Sequence, residues 1–535
     1  MRPTLYFQNQ RIDADTFFGR WQRSAAALRA AGVREGDVVA MMVRNSPLAL
    51  ELTLAARWIG AYWCPVNWHF KAEELDYILA DSQATVFIAD AAILASLNDL
   101  NGLSSLSRLV GEEGNPDGTG SADATNTPAL KIFAAHHTAL PESATTGFPQ
   151  WEAARDAQSG DNVLQGAQRG AMFYTSGTTG RPKGIRRNAS TPEQVAAGLG
   201  VMRHCMGFDP EKYGEMRALV SAPMYHSAPN SFSLGAALFN VDLHIEERFD
   251  AEDTLRLIAE HRITHAYLVP TMYVRMLRLP DAVKNRYDLS SLRCVGSTGS
   301  PCSPEVKRAM VEWWGPVIYE SYGSSELGYM TRLDSPDALR KPGSAGKALP
   351  GVVLEILDNE GQTLPAGQSG LIYAHNPAVA DFTYTGNDAA RRKMELQGLK
   401  TMGDVGYLDD EGFLFIVDRS ADMVISGGVN IYPAEIEAVL QMMPGVADCA
   451  VFGIPSEEFG EALGCAVQRA TGAQDQALGQ ALDATAVQAY LKAKLASYKV
   501  PQVVAFHDAL PREDTGKIFK RKLREPYWAG KTRRI

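Results

Sequence analysis

Apolar positions along the chain keep two periods. TFFGRWQRSAAALRAAGV (16–33) repeats its apolar residues at helical spacing, reaches a glycine suited to a helix C-cap, and is followed by the β-rich run GDVVAMMV (36–43). AEELDYILADSQA (72–84) followed by TVFIAD (85–90) repeats the pair. Such alternation predicts an α/β sheet fold. Residues 99–170 are the least periodic, and GEEGNPDGTGSADATNTPA (111–129) reads as an exposed loop. The chain shows no internal repeat.

The texture changes twice more. Beyond residue 330 come short alternating strands with frequent glycines, GVVLEILDNEG (351–361), SGLIYAHNP (369–377) and VGYLDDEGFLFIVDR (405–419), which predict a β-rich subdomain. After Arg419, NIYPAEIEAVLQMMPGVADCAVFGIP (430–455) reads as helix then strand, and AVQAYLKAKLAS (486–497) as an amphipathic helix. A boundary at 418–422 follows. It gives a large N-terminal domain, 1–418, of α/β subdomains plus the β-rich one, and a small α+β C-terminal domain, 419–535.

Composition narrows the class. A chain of 535 residues exceeds one ordinary core, so two or more domains are expected. With 45% hydrophobic and 21% charged residues it is not a disordered chain. The formal net charge of −10 argues against broad nucleic-acid binding, while leaving the basic stretch from Lys517 to Arg534 as a local patch or a solvated terminus. Six scattered cysteines without a CxxC pair suggest neither zinc nor a disulfide framework, and a reducing cytoplasm is the simplest setting. The first thirty residues lack the apolar core of a signal peptide. The most apolar stretch, LALELTLAARWIGAYWCPVN (48–67), is interrupted by Glu51 and Arg57, so no integral membrane contact is expected. A homodimer is compatible with the sequence and not dictated by it.

Candidate chemistry enters with YTSGTTGRPKGIRR (174–187). Gly177, Gly180 and Gly184 permit close backbone approach, successive N–H groups can form an anion nest, and Ser176, Thr178, Thr179 and Lys183 add hydroxyl and ammonium donors. Phosphate is the natural occupant. A Walker loop is excluded by spacing, because Pro182 stands where its second glycine belongs, counting from Gly177. The eleven residues Tyr174 to Gly184 resemble the phosphate-binding signature of the adenylate-forming superfamily: acyl-CoA synthetases, firefly luciferase and the adenylation domains of peptide synthetases.

Further motifs resemble that family in the same order. SAPMYHSAP sets Tyr225 and His226 where the family lines its acid pocket, together with Gly299 and Ser321. Gly299-Ser300-Pro301 resembles the turn beside adenine and the acyl group. Ser321-Tyr322-Gly323-Ser324-Ser325-Glu326 resembles the element in which a tyrosine stacks near adenine and a glutamate, with Thr178, holds magnesium. Asp404 stands at the ribose-binding aspartate, with Met402 where threonine is usual. The resemblance assigns Thr175, Ile416 and Arg419 to the nucleotide and Gly427-Gly428 to the pantetheine tunnel. It makes the C-terminal domain mobile about a hinge where Ala421 replaces the usual Asp or Lys. PREDTGKIFKRKLR gives Lys517 the role of adenylation lysine.

The resemblance spans about residue 15 to residue 524 and implies ATP, Mg²⁺ and coenzyme A. It implies activation of a carboxylic acid as acyl-AMP, with Lys517, Glu326 and Thr178 as catalytic residues, and then thioester formation. It departs at Ala189, where the family often has histidine. Arg186 and Arg187 before it could bind a polar substrate group or CoA phosphate, or pair with surface carboxylates. An acyl-AMP ligase loading a separate carrier protein shares nearly every residue named, and a non-catalytic nucleotide sensor would be expected to lack Lys517 or Glu326. With so little chain after Lys517, a fused carrier domain is not expected. The acid is expected to be a sizeable hydrophobic monocarboxylate: fatty, aryl or alicyclic.

Overall fold

The computed structural model describes residues 1–97, 130–136, 148–175, 182–300, 302–419, 422–426, 429–470, 482–512 and 518–529. Its first large sheet orders strands Ile318–Glu320, Cys294–Ser297, His265–Leu268, Arg217–Val220, Asp242–Ile245, Leu5–Phe7 and Gln10–Ile12, all parallel except the last. A second, all-parallel sheet orders Tyr62–Pro65, Val38–Met42, Val86–Asp90 and Lys131–Ala135. Parallel strands need crossovers, and the helices that supply them cover both faces. In Val38–Met42 the side-chain period of two shows this directly: Val39 and Met41 join the core shared with the first sheet, while Val38, Ala40 and Met42 join a second core.

The predicted helix–strand pairs are present as helix Ala14–Ala30 with strand Val38–Met42, and helix Ala72–Ser82 with strand Val86–Asp90. The apolar stretch from residue 48 becomes helix Pro47–Trp58 and strand Tyr62–Pro65, both almost wholly buried. Its Glu51 is buried too, and accepts from Arg20, Arg155 and Ser24. Among the described residues no helix is long and apolar enough to cross a membrane. The aperiodic stretch is not all loop: Lys131–Ala135 adds an edge strand by pairing with Val86–Asp90. The loop expected over 111–129 lies outside the described residues.

The β-rich subdomain is an antiparallel sheet of Thr331–Arg332, Ser344–Ala348, Phe413–Arg419, Leu399–Leu408, Gly370–His375 and Val353–Leu357, with Glu395–Leu396 added. Sheet membership changes after Arg419. Strand Val424–Ser426 belongs to another sheet, built on the long hairpin Val446–Ser456 and Gly460–Arg469 and extended by Val503–His507 in parallel. Helices Pro433–Gln441 and Ala484–Lys492 pack on it around Val451, Val467, Leu440 and Leu491.

One glycine pins the β-rich subdomain. Gly346 lies at φ +92°, at a register shift in Ser344–Ala348, and a Cβ there would stand 2.2 Å from the Arg332 carbonyl oxygen. Gly346→Ala therefore combines a left-handed backbone with a clash against main chain, and is expected to cost on the order of 1–3 kcal/mol, read as a lowered unfolding midpoint in urea.

Candidate active site

Loops leaving the carboxyl ends of parallel strands gather on one side of the first sheet, where α/β folds place their ligands. Residues 221–226 follow Arg217–Val220, 298–300 follow Cys294–Ser297 and 321–326 follow Ile318–Glu320, and from the second sheet 66–70 follow Tyr62–Pro65. Residues from all four loops line a cleft of about 3550 Å³. A site for one drug-sized ligand typically holds ~300–1,000 Å³, so this cleft can take several groups together.

The glycine-rich hairpin enters this cleft by its arms. Strands Tyr174–Thr175 and Lys183–Arg187 pair antiparallel, and Lys183–Arg187 also pairs with Phe382–Tyr384. The arms are closely packed, since a Cβ on Gly184 would stand 2.6 Å from Met172 Cε and 2.8 Å from Tyr174 Cζ. Tyr174 donates its hydroxyl to Asp81 at 2.7 Å. Thr175 Oγ1 donates to Glu326 Oε1 at 3.2 Å, and the Tyr384 hydroxyl donates to the same oxygen at 3.1 Å. Lys183 Nζ lies 5.2 Å from the centre of the Tyr384 ring.

A second group of predicted residues meets about 80 residues apart in sequence. The Tyr322 hydroxyl donates to Asp404 Oδ2 at 2.5 Å, and Arg419 Nε lies 3.3 Å from Asp404 Oδ1, the two residues being cross-strand partners. Burial, and then the Asp404 charge, pushes the Tyr322 phenol well above its ordinary value, so it is a hydrogen-bond donor throughout the neutral range. Ile416 lies on the strand that carries Arg419, and both line the cleft. Gly299 adopts φ +94° with no atom within 4 Å of where a Cβ would stand, leaving a hollow at the cleft wall. Ser321 donates its backbone N–H to Ser297, Ser324 Oγ accepts from Leu327 N, and Ser325 Oγ donates to Ser227 Oγ. Gly323 allows its hairpin to close, since a Cβ would meet Gly328 O at 2.3 Å.

A third group is aromatic. Tyr225 is buried, packs edge-on to Trp68 at 4.6 Å between ring centres, and lies 4.2 Å from the His226 ring. His226 caps helix Ser227–Leu238 through its backbone, placing its ring at the cleft. Elsewhere in the same domain, helix Pro304–Trp314 sends Lys307 into a buried ion pair with Glu320, whose carboxyl is raised by burial against the lowering effect of Lys307.

Sequence reasoning missed Tyr384 and Trp68. Aromatics alternating in DFTY signal a strand, but no local pattern links Tyr384 to a glutamate 58 positions earlier. Arg186 and Arg187 also differ from the readings given to them. Arg186 Nη2 donates to Gly36 O at 3.0 Å, and Arg187 donates to the carbonyls of Ser325, Glu326 and Ala380. Ser176, Gly177, Thr178, Thr179, Gly180, Pro301, Gly427, Gly428 and Lys517 lie outside the described residues. Ile518, Phe519 and Lys520, next to Lys517 in sequence, line the same cleft as Thr175, Glu326 and Asp404.

A divalent cation fits the donor set at Glu326. Among the described residues no cluster of three or more His, Cys, Asp or Glu could cage a metal, and the hydroxyl donors to Glu326 both use Oε1. Magnesium is ordinarily held by one or two carboxylates with phosphate oxygens and waters, which is the chemistry this single carboxylate offers.

Known proteins resemble this chain over nearly its full length. The profile described as AMP-binding enzyme matches residues 2–382, and the profile described as AMP-binding enzyme C-terminal domain matches residues 435–517. The indoleacetate–CoA ligase of Aromatoleum aromaticum is 31% identical over 526 residues, covering 98% of this chain and 95% of that protein. A feruloyl-CoA synthase of an Amycolatopsis species is 32% identical over 514 residues, covering 95% and 92%. The ATP-bound structure of MatB from Rhodopseudomonas palustris superposes with a TM-score of 0.79 at 28% identity, covering 98% of this chain and 96% of that one.

The buried Lys307–Glu320 pair yields a prediction. Lys307→Met leaves the Glu320 carboxylate buried without its cation and should cost about 3–5 kcal/mol, whereas Lys307→Met combined with Glu320→Leu should recover most of it. Urea midpoints of the two variants measure the difference.

Proposed function

The chain belongs to the family of AMP-binding enzymes, and on that premise we propose that it activates a hydrophobic monocarboxylic acid with ATP and transfers the acyl group to coenzyme A. The observation that carries the reading is the convergence of the hairpin arms, Glu326 and the Tyr322–Asp404–Arg419 group on one cleft, which residues 518–520 also line. The likeness to CoA ligases over nearly the full chain supports the reaction class, and the likeness to an ATP-bound structure supports the nucleotide.

The chemical difficulty is electrostatic. A carboxylate must reach the α-phosphorus of a triphosphate carrying about four negative charges, and pyrophosphate must leave. In this reading the hairpin's N–H and hydroxyl groups, from Thr175 to Gly180, and Lys183 hold the phosphates. Asp404 accepts from the ribose hydroxyls, Tyr322 and the hollow at Gly299 receive the adenine, and Arg419 neutralises charge beside them. Ile416, Ser300 and the backbone of Ser321 to Ser325 complete the nucleotide wall. Glu326, with Thr178, would hold Mg²⁺, which when bound supplies neutralising charge to the phosphate oxygens. Lys517 stabilises the transition state for adenylation. No protein nucleophile is needed, because the acid oxygen bonds to phosphorus and the thiol sulfur later bonds to the acyl carbon, releasing AMP.

We divide the chain into domains 1–418 and 419–535, with the second turning between the two half-reactions and Gly427-Gly428 flanking the thiol's path. The change of sheet membership after Arg419 supports the division. For the acid, the wall of Trp68, Tyr225 and His226 favours a planar aromatic substrate, in keeping with the indoleacetate and ferulate ligases among the relatives. The Arg187 guanidinium is taken up by three main-chain carbonyls, which supports a monocarboxylate over an acid whose second carboxylate it would hold.

A panel of aryl, fatty and dicarboxylic acids, followed by pyrophosphate release, tests the substrate class; dicarboxylates turning over fastest would contradict it. Product mass with CoA present distinguishes a CoA thioester from an acyl group loaded on a carrier protein. Lys517→Ala is expected to reduce pyrophosphate release by at least a hundredfold and to leave thioester formation from supplied acyl adenylate within a few-fold, consistent with loss of ~3 kcal/mol or more of transition-state stabilisation. Equal loss of both steps would contradict the role. Glu326→Ala should raise the magnesium needed for half-maximal pyrophosphate release.

A further inference from the structure

Arg187 closes the second arm of the hairpin, and its guanidinium is spent on main chain. Nη2 donates to Ser325 O at 2.6 Å and to Glu326 O at 2.7 Å, and Nη1 donates to Ala380 O at 2.9 Å. The residue is itself held: its carbonyl accepts from the Tyr62 hydroxyl, its guanidinium carbon lies 5.7 Å from the centre of the Phe382 ring, and a Cβ on Gly170 would come within 3.2 Å of its Cδ. Burial lowers its pKa to about 10, opposed by Glu326 and Asp381, so it stays a cation at neutral pH. A rigid planar fork of five donors can bridge three carbonyls on two segments at once, which an ammonium on a flexible stem does poorly.

What the fork joins is informative. Ser325 and Glu326 carry the carboxylate of the site, and Ala380 leads into strand Phe382–Tyr384, whose Tyr384 hydroxyl donates to Glu326 Oε1. Phe382 is the cross-strand partner of Arg187. One side chain therefore fixes both the backbone that bears Glu326 and the strand that supplies one of its two hydroxyl partners. It also places a cation beside that carboxylate while its own hydrogen bonds go to main-chain carbonyls.

We propose that Arg187 is a positioning residue that sets the Glu326 carboxylate for the magnesium–phosphate end of ATP. This rests on the reading of Glu326 given above. With its guanidinium held by main-chain carbonyls, Arg187 acts through Glu326.

The test compares the full chain with Arg187→Met, Arg187→Lys, Tyr62→Phe, Glu326→Gln and the Arg187→Met/Glu326→Gln double variant. Calorimetry measures ATP affinity with Mg²⁺ and with EDTA, and thioester formation is followed from supplied acyl adenylate and CoA. Arg187→Met should cut the magnesium-dependent gain in ATP affinity at least fivefold, with EDTA affinity and thioester formation within twofold of the parent. Arg187→Lys should recover only part of the gain, Tyr62→Phe should lower it in the same direction, and the double variant should be no worse than Glu326→Gln alone. An unchanged magnesium gain, equal losses in both measurements, or additive effects in the double variant would overturn the proposal. If Arg187→Met does not fold, Arg187→Lys and Tyr62→Phe decide it, and a parental magnesium gain in both overturns it. Should Glu326→Gln itself keep the full gain, the assignment of Glu326 has failed, an outcome distinct from a failure at Arg187.

Discussion

A carboxylate taken almost out of water must be given donors, and at Glu326, only 4% exposed, meeting that need organises the centre of the molecule. Its donors come from both sides of a three-stranded ribbon, Thr175 from one edge strand and Tyr384 from the other, with Lys183–Arg187 between them. The glutamate itself comes from the loop after the edge strand of the first sheet. Satisfying one side chain therefore ties the α/β layers to the ribbon that presents the glycine-rich turn. Among the described residues both donors reach the same oxygen, and in the reading given above the other meets charge brought by a ligand, so that one set of hydrogen bonds would serve stability and chemistry together.

The same economy recurs at Asp404. Its two oxygens are divided between the Tyr322 hydroxyl and Arg419, which come from the first sheet's edge loop and from the last strand of the β-rich subdomain. Tyr322 reaches Asp404 from a different packing unit 82 positions away, while Arg419 is its cross-strand partner on the next strand. The nucleotide's two ends, in the reading given above, are thus organised by two carboxylates that each have a partner across a subdomain border. A cleft formed in this way depends on the relative seating of the subdomains, and cannot be assembled by any one of them.

What the sequence made legible follows from range. Helix Ala14–Ala30 announces itself because its burial is periodic within a single segment, and strand Val38–Met42 because its apolar run is continuous and buried throughout. Tyr322, Asp404 and Arg419 were found by motif and then meet in space, since a motif preserves chemistry that local propensity does not encode. Lys131–Ala135 was not legible: five residues in an aperiodic stretch become a strand because Val86–Asp90 offers an open edge. Tyr384 and Arg187 escaped for the same reason, as their roles are defined by partners 58 and 138 to 193 positions away. Arginines at a pocket edge suggest anions, yet here the main-chain carbonyls of a turn were the better fit for a planar fork.

The junction at residue 418 carries a different kind of constraint. Asp418, the last residue before the division proposed above, accepts from the backbone N–H of Arg419 at 2.7 Å and from that of Ala434, at the start of helix Pro433–Gln441, at 3.0 Å, and is 8% exposed. Burial raises its pKa to about 6 despite Lys520 and those two N–H groups, which lower it. A carboxyl whose folded pKa lies above its unfolded value of 3.8 stabilises the fold most below the unfolded pKa, and that contribution is lost as pH rises through about 6. At neutral pH the junction is therefore held against an electrostatic cost on the order of 3 kcal/mol relative to an exposed carboxylate. Any arrangement that returned Asp418 to water would recover part of that cost, which offsets the loss of the Ala434 hydrogen bond. A contact built in this way can hold one arrangement of the C-terminal portion without locking it, which is what a chain proposed to turn between two half-reactions requires.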